Sequence, residues 1–127
     1  MTLYSDKHLW AVECGDGKWK LGITGYAAIE LDGIVYVDPG KSQRVVKSGD
    51  ALGSVESNKT VADIVCPFDC EIEAVNDNLN DDINAFDHNP EDEEKHWIYI
   101  VKPTNGVTGL MDRREYLAFL GNVEEGL

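Results

Sequence analysis

Hydrophobic and polar residues alternate along this chain in short runs, a pattern that predicts mainly β structure. Two such runs, 51–56 and 61–65, flank the polar segment Ser57-Asn58-Lys59-Thr60. Alternating runs joined by a short polar segment are typical of a β-hairpin. Lys59 is therefore expected at or beside the hairpin tip, the most solvent-accessible part of a small domain. On this pattern alone, Lys59 is most simply a surface lysine.

Turn and capping residues divide the N-terminal half into further short elements. The turn Gly15-Asp16-Gly17-Lys18 joins two predicted strands, 10–14 and 19–23. Thr24 is the predicted N-cap of a short helix that ends at Asp32-Gly33. Further strands rich in β-branched and aromatic residues are predicted at 34–37, 71–75 and 97–101.

The segments after the central hairpin carry weaker signals. Pro67-Phe68-Asp69 is a turn, so the strand at 71–75 is expected to pair back onto the hairpin. Segment 76–87 is polar and acidic, which indicates a loop with one helical turn around Ile83 and Phe86.

The end of the chain predicts a helix and completes the fold class. Asp112 is a good N-cap for a C-terminal helix that stops before Gly121. About six to nine short strands separated by turns indicate a β-sandwich or a barrel. Because no linker-like change in composition divides the chain, one domain covering residues 1–127 is expected.

Composition narrows the classes of function. The chain has 127 residues, of which 43% are hydrophobic, so it is expected to fold around a modest core. Its formal net charge of -13 argues against nucleic acid and anionic membranes as partners, and suits docking on basic rims of larger proteins. No apolar run approaches a membrane span and no signal pattern opens the chain, so a cytoplasmic location is expected.

No residue pattern in the chain indicates an enzyme. His8, His88 and His96 show no metal-ligand spacing and no triad partners. Gly40-Lys41-Ser42 is not the end of a phosphate-binding loop, because Val35 stands where that loop requires glycine. We therefore expect a protein without a catalytic residue of its own.

The cysteines leave two interpretations open. Cys14, Cys66 and Cys70 are too few for a secreted disulfide scaffold. Cys66 and Cys70 bracket the Pro67-Phe68-Asp69 turn, so their side chains can approach each other. They are either reduced thiols that behave as small hydrophobic residues, or a redox-active pair that exchanges with a neighbouring disulfide or carries sulfur.

Several strings, taken in order and spacing over nearly the whole chain, resemble the H-protein family of the glycine cleavage system. That family shows Y-S-x-x-H-E-W, V-G-I-T, G-D-x-V-F-V-D, E-S-V-K-A-x-S-D-I, E-I-x-x-V-N and G-W-I. The matching strings here are Tyr4-Ser5-Asp6-Lys7-His8-Leu9-Trp10, Leu21-Gly22-Ile23-Thr24, Gly33-Ile34-Val35-Tyr36-Val37-Asp38, Glu56-Ser57-Asn58-Lys59 with Asp63-Ile64, Glu71-Ile72-Glu73-Ala74-Val75-Asn76 and Trp97-Ile98.

The resemblance implies a fold and a site. The fold would be a lipoyl/biotinyl-type hybrid β-sandwich of two antiparallel sheets, with a short helix in the N-terminal half and a C-terminal helix. Lys59 would carry covalent lipoate, with Glu56, Ser57 and Asp63 beside the attachment point. The chain would carry substrate fragments and electrons on the lipoyl arm, while partner enzymes perform the chemistry. In the family, an aminomethyl-loaded arm folds back against the carrier's own surface.

The resemblance also implies partners. A lipoate ligase or lipoyl transferase would attach the cofactor. In glycine cleavage, the carrier works with the glycine decarboxylase, an aminomethyltransferase and dihydrolipoamide dehydrogenase. H-like lipoate-binding proteins of bacterial sulfur oxidation work instead with a heterodisulfide-reductase-like complex.

Departures from the family pattern keep both pathways open. Leu9 replaces a glutamate that lies near the docked cationic arm, and leucine cannot pair with a charge. Asn58 replaces a valine, Asp69-Cys70 replaces a Ser-Gly pair, and Cys66 adds a thiol. These changes favour a specialised H-like carrier slightly. An acidic adaptor with the same sandwich but no lipoate is the alternative from a different class.

Overall fold

Alternation of buried and exposed residues builds two antiparallel sheets in the computed structural model, which describes residues 1–121. The strands are β1 (Thr2–Tyr4), β2 (Leu9–Gly15), β3 (Lys18–Ile23), β4 (Ile34–Asp38), β5 (Arg44–Val46), β6 (Ala51–Ser57), β7 (Val61–Val65), β8 (Cys70–Val75) and β9 (Tyr99–Pro103). The helices are α1 (Gly25–Leu31), α2 (Ile83–His88), which follows a 3-10 turn at Leu79–Asp82, and α3 (Arg113–Phe119).

The two sheets enclose the main core. One sheet has the strand order β1-β2-β3-β9-β8-β5, and the other has the order β4-β6-β7. Buried aliphatic side chains from both sheets form one contiguous cluster, which includes Leu21, Val37, Leu52 and Ile72. The expected class, a mainly β sandwich of two antiparallel sheets with a helix in the N-terminal half and one near the C-terminus, is confirmed.

A second, smaller cluster lies under α3. Trp10 is almost completely buried and faces Gly22 across β2 and β3, where a Cβ at position 22 would lie 2.5 Å from the indole nitrogen. That nitrogen donates to the carbonyl oxygen of Pro90 at 3.0 Å. Tyr4 stacks on Tyr116 of α3, with ring centroids 4.7 Å apart. Trp10 and Gly22, which belong to two of the strings that resemble the family, therefore pack against each other.

Both predicted helix N-caps are present. The hydroxyl of Thr24 accepts a hydrogen bond from the backbone N–H of Ala27 at 3.2 Å, and Asp32 ends α1 in the left-handed conformation. Asp112 and Glu115 form a reciprocal capping box at the start of α3. These local signals were sufficient because each acts within one helical turn.

The expected pairing of 71–75 with the central hairpin is wrong. Strand β8 pairs with β5 and β9 in the larger sheet, in the register Val46↔Cys70 and Cys70↔Pro103. Hydrogen bonds join Cys66 to the segment before β6, because its N–H donates to the carbonyl of Asp50 at 2.8 Å. The Pro67-Phe68-Asp69 turn therefore carries the chain from one sheet to the other.

Three other boundaries differ from the prediction. Strand β9 begins at Tyr99 rather than at Trp97, and β1 carried too short a pattern to be predicted. The segment 79–88 is helical over more than one turn. Asn80 fixes this segment against β4, because its side-chain amide accepts from the N–H of Val37 at 2.9 Å and donates to the Val37 carbonyl at 2.8 Å.

The side chain of Tyr99 places a hydroxyl group inside the core. The residue is fully buried, and its hydroxyl has no hydrogen-bond partner within residues 1–121. Gly53 makes room for this hydroxyl, because a Cβ there would lie 2.6 Å from it and would also collide with the carbonyl oxygen of Asp38. Burial raises the pKa of Tyr99, so the phenol is neutral.

We expect Tyr99→Phe to raise the free energy of unfolding by about 1 kcal/mol, because it removes an unsatisfied buried hydroxyl and leaves the ring in place. Urea unfolding followed by tryptophan fluorescence measures the change. The matched variant Gly53→Ala should lower the free energy by about 2 kcal/mol, since the added methyl group meets backbone. A Tyr99→Phe protein less stable than the parent would show that the hydroxyl has a partner.

Candidate functional site

Lys59 lies in the turn between β6 and β7, and its side chain is exposed. Within residues 1–121 it takes part in no ion pair. The predicted position at the hairpin tip is therefore correct, and the amine is free to react or to be modified by an enzyme that approaches from solvent.

The hydroxyl of Ser57 closes this turn. Neither Asn58 nor Lys59 has a positive φ, so the tight two-residue turns usual in hairpins are not formed. Instead the Ser57 hydroxyl accepts from the N–H groups of Lys59 at 3.3 Å and Thr60 at 3.2 Å, and donates to the Thr60 carbonyl at 3.2 Å. The main-chain N–H of Ser57 donates to the same carbonyl at 2.8 Å. One buried side chain thus holds the backbone on both sides of Lys59.

The turn also rests on the connection between α1 and β4. The N–H of Asn58 donates to the carbonyl of Gly33 at 3.3 Å. Gly33 has φ of +93°, and a Cβ there would lie 2.8 Å from the side-chain nitrogen of Asn58. Glycine at position 33 therefore allows the asparagine before Lys59 to lie against the body of the domain.

Glu56 and Asp63 share the outer face of the small sheet. Glu56 pairs with Val61 and with Tyr36, and Asp63 pairs with Ser54 two positions further along β6. Because side chains two residues apart on a strand point the same way, both carboxylates face solvent on the same side of the hairpin. The structure therefore places Glu56, Ser57 and Lys59 at the end of the hairpin, with Asp63 two positions beyond Val61 on β7.

A groove of about 390 Å³ runs beside β7, the outer strand of the small sheet. We call it the edge groove. Its walls come from the loop before β2, from α1 and from β7, and include Lys7, His8, Tyr26, Glu30, Ala62 and Asp63. Along β7, its lining starts at Ala62, three residues after Lys59. The sequence indicated Asp63, but it gave no sign that Tyr26 and Glu30 would lie across from it.

A chain of hydrogen bonds orients His8 at this groove. The Tyr116 hydroxyl lies 2.9 Å from Thr24 Oγ1 and 2.9 Å from His8 Nδ1. Thr24 already accepts from Ala27, so the arrangement that uses every hydrogen has Thr24 donating to Tyr116 and Tyr116 donating to Nδ1. This leaves the imidazole proton on Nε2. Burial lowers the pKa of His8, in agreement with a neutral ring.

Three of the residues that differ from the family pattern are buried in the main core, whereas Asn58 is exposed beside Lys59. Leu9 is 2% exposed and belongs to the main cluster between the sheets. Cys66 and Cys70 are both buried, with their sulfur atoms 3.9 Å apart, while Cys14 is exposed. The two thiols therefore meet across the turn between the sheets, although no hairpin joins their strands.

Within residues 1–121, no group of three or more His, Cys, Asp or Glu side chains is placed to hold a metal ion. No helix in that range is both long and apolar enough to span a membrane.

Known proteins resemble this chain over almost its full length. The model of the glycine cleavage H-protein family matches residues 2–123. The glycine cleavage system H protein of Methylobacillus flagellatus is 36% identical over 118 residues, which cover 93% of this chain and 94% of that protein. The H protein of Chlorobium phaeobacteroides is 38% identical over 118 residues, or 93% of each chain.

A solved structure agrees with these relatives. The crystal structure of a glycine cleavage system H protein from Mycobacterium marinum superposes with a TM-score of 0.82 at 30% sequence identity, covering 99% of this chain and 97% of that one. The two-sheet fold, the exposed lysine on its hairpin and these matches lead to one conclusion. The chain belongs to the glycine cleavage H-protein family of lipoyl carriers, which are components of a multienzyme system without catalytic activity of their own.

Proposed function

We propose that Lys59 carries lipoate in amide linkage and that the chain moves substrate fragments and electrons between the enzymes of glycine cleavage. The observation that carries this proposal is the exposed amine of Lys59, which takes part in no ion pair within residues 1–121 and lies at the tip of a turn that Ser57 closes. A lipoyl group supplies a dithiolane that accepts electrons and a substrate fragment.

The chain's own part is to anchor the arm. A stiff turn keeps the attachment point in one place, while the lysine side chain and the cofactor beyond it move. Tethering of this kind raises the effective concentration of the reactive group at each partner. Glu56 and Asp63, on the face beside the turn, give a lipoate ligase or lipoyl transferase charged groups to recognise.

The edge groove suits a returning arm. Its lining on β7 starts three residues after Lys59, at Ala62, and its walls combine Tyr26 with the carboxylates of Glu30 and Asp63. An aminomethyl group on the arm is cationic, so carboxylates along the groove favour it and the aromatic wall reduces its contact with water. We infer that the loaded arm rests there between visits to the decarboxylase and the aminomethyltransferase, and that dihydrolipoamide dehydrogenase then reoxidises the arm.

Specific residues support a second pathway. Leu9 leaves no carboxylate at the position of the family glutamate, and two thiols are buried near the sheet-to-sheet turn. Both features fit a carrier that binds sulfur for a heterodisulfide-reductase-like sulfur-oxidising complex. The relatives named above are all glycine cleavage proteins, so we place glycine cleavage first.

Lipoylation is the first test. When the chain is expressed with lipoate and a lipoate ligase, intact-mass spectrometry should show the addition of one lipoyl group. Lys59→Ala should abolish the addition, because no other lysine occupies a hairpin turn of this kind within residues 1–121. The control Lys47→Ala, also at an exposed lysine, should be modified fully. An unmodified parent protein would favour the acidic adaptor.

The closure of the turn can be tested separately. Ser57→Ala removes the acceptor of two N–H groups, at a cost of about 1 kcal/mol in local stability. Lipoylation should slow by roughly fivefold, since the ligase then meets a less ordered turn. Faster amide hydrogen exchange at Lys59 and Thr60 should accompany the loss. Ser54→Ala, on the same strand, should change neither rate.

The pathway is tested with the lipoylated protein and a glycine decarboxylase. We expect exchange of label between bicarbonate and the carboxyl group of glycine, dependent on lipoylated protein and absent with Lys59→Ala. Exchange no higher than with Lys59→Ala would remove glycine cleavage as the main role and leave sulfur transfer as the proposal. The measurement uses the complete chain.

A further inference from the structure

The two buried thiols are arranged asymmetrically. Cys66 follows the end of β7, Cys70 begins β8, and their sulfur atoms lie 3.9 Å apart. The Cys66 sulfur also lies 3.0 Å from the carbonyl oxygen of Phe68, to which its single hydrogen is directed. Since a thiol has only one hydrogen to donate, the contact between the sulfurs has Cys70 as donor and Cys66 as acceptor.

This direction makes Cys66 the more easily ionised sulfur. A thiolate at Cys66 keeps the S–H of Cys70 as a hydrogen-bond donor, and this bond lowers the pKa of Cys66 against the opposing effects of burial, Asp50 and Asp69. The same bond, together with burial, raises the pKa of Cys70. The thiolate is the nucleophile in exchange with disulfides, so Cys66 is the attacking member of the pair.

A hollow leads to Cys66 from the surface. It has a volume of about 120 Å³, and its walls include Lys7, Ser48, Gly49, Pro67 and Leu110. Apart from Val65, the last residue of β7, these walls are loops rather than paired strands. The hollow also shares Asp6, Lys7 and Val65 with the edge groove, so the two depressions adjoin. Cys70 does not line the hollow.

We propose that Cys66 and Cys70 form a redox-active dithiol that reduces a small disulfide reaching Cys66 through this hollow, and that the pair closes to an internal disulfide. Cys66 loses its proton to water, and its thiolate attacks one sulfur of the small disulfide. The S–S bond breaks, and the other sulfur leaves as a thiolate that takes a proton back from water; in a cyclic disulfide it stays within the same molecule. Cys70 then gives its proton to the departing second sulfur and attacks Cys66. Two protein thiols are oxidised, and one disulfide is reduced to two thiols.

The closing step needs little movement. A disulfide bond is about 2.05 Å long, so the sulfurs must approach by roughly 2 Å in total. Rotation about the side-chain bonds of the two cysteines can supply that distance, while the 67–69 turn keeps its hydrogen bonds to Ser48 and Thr104. A dithiolane on Lys59 is one disulfide of the required kind, and a diffusible disulfide is another. The proposal holds for the second source even if Lys59 carries no lipoate.

The test uses the reduced full-length chain with Cys14→Ser, which removes the exposed thiol. In oxygen-free buffer the folded protein is mixed with excess oxidised lipoamide, a cyclic disulfide, or oxidised glutathione, a linear one. After acid quenching, unfolding and alkylation, intact-mass spectrometry should show loss of two hydrogens and no alkyl group. Lys59→Ala in the same background should react equally.

Single replacements test the order of attack. With Cys70→Ala the reaction should stop at one mixed disulfide, located on Cys66 by peptide mapping. With Cys66→Ala the folded protein should show no adduct at all. Thermal unfolding checks that each variant is folded. If either variant is unfolded, the loss of two hydrogens from the Cys14→Ser protein decides the proposal.

Two results would overturn the proposal: both thiols of the folded Cys14→Ser protein remaining alkylatable, or an adduct forming on Cys70 in the Cys66→Ala variant.

The source of the disulfide is identified with the lipoylated chain, to which no disulfide is added. Thiol loss at a rate independent of protein concentration assigns the oxidant to the chain's own arm. Loss only with an added disulfide assigns it to a diffusible molecule.

Discussion

One serine hydroxyl holds the backbone on both sides of Lys59. Ser57 is 5% exposed, yet both of its neighbours in the turn, Asn58 and Lys59, face solvent. Its three hydrogen bonds use the full capacity of the hydroxyl and replace the left-handed residues that a tight hairpin turn would need. Behind the turn, β6 is paired on both sides and packed on the core. The backbone at the tip is therefore tied by hydrogen bonds to a strand that packs on the core.

The two edge strands of the small sheet, β4 and β7, have different surroundings. The unpaired side of β4 is satisfied by side chains, because Asn80 bonds both backbone groups of Val37 and Asp87 accepts from the N–H of Ile34 at 3.1 Å. Open strand edges invite pairing with other chains, so this closure protects one side. The β7 side instead borders the edge groove. The proposal of an arm on Lys59 that rests against the domain therefore uses the β7 side of the small sheet.

The sequence predicted best what is decided within a few residues. The tip position of Lys59, the N-caps Thr24 and Asp112 and the turn at 15–18 all follow from local backbone chemistry. The pairing of β8 could not be derived in that way, since the turn at 67–69 reverses the chain equally well within a sheet or between sheets. The edge groove could not be derived from local patterns either, because its walls come from three separate segments.

Leu9 weakens the case for glycine cleavage less than the sequence alone suggests. The side chain lies in the main core, where an ionised carboxylate would carry a desolvation cost and leucine gains burial instead. Carboxylates other than the glutamate that Leu9 replaces are available to a cationic arm. Asp6, Glu30 and Asp63 line the edge groove with Lys7 as the single opposing cation among the described lining residues, so the groove keeps a negative balance. The carboxylates that remain are at the rim, where ionisation costs little.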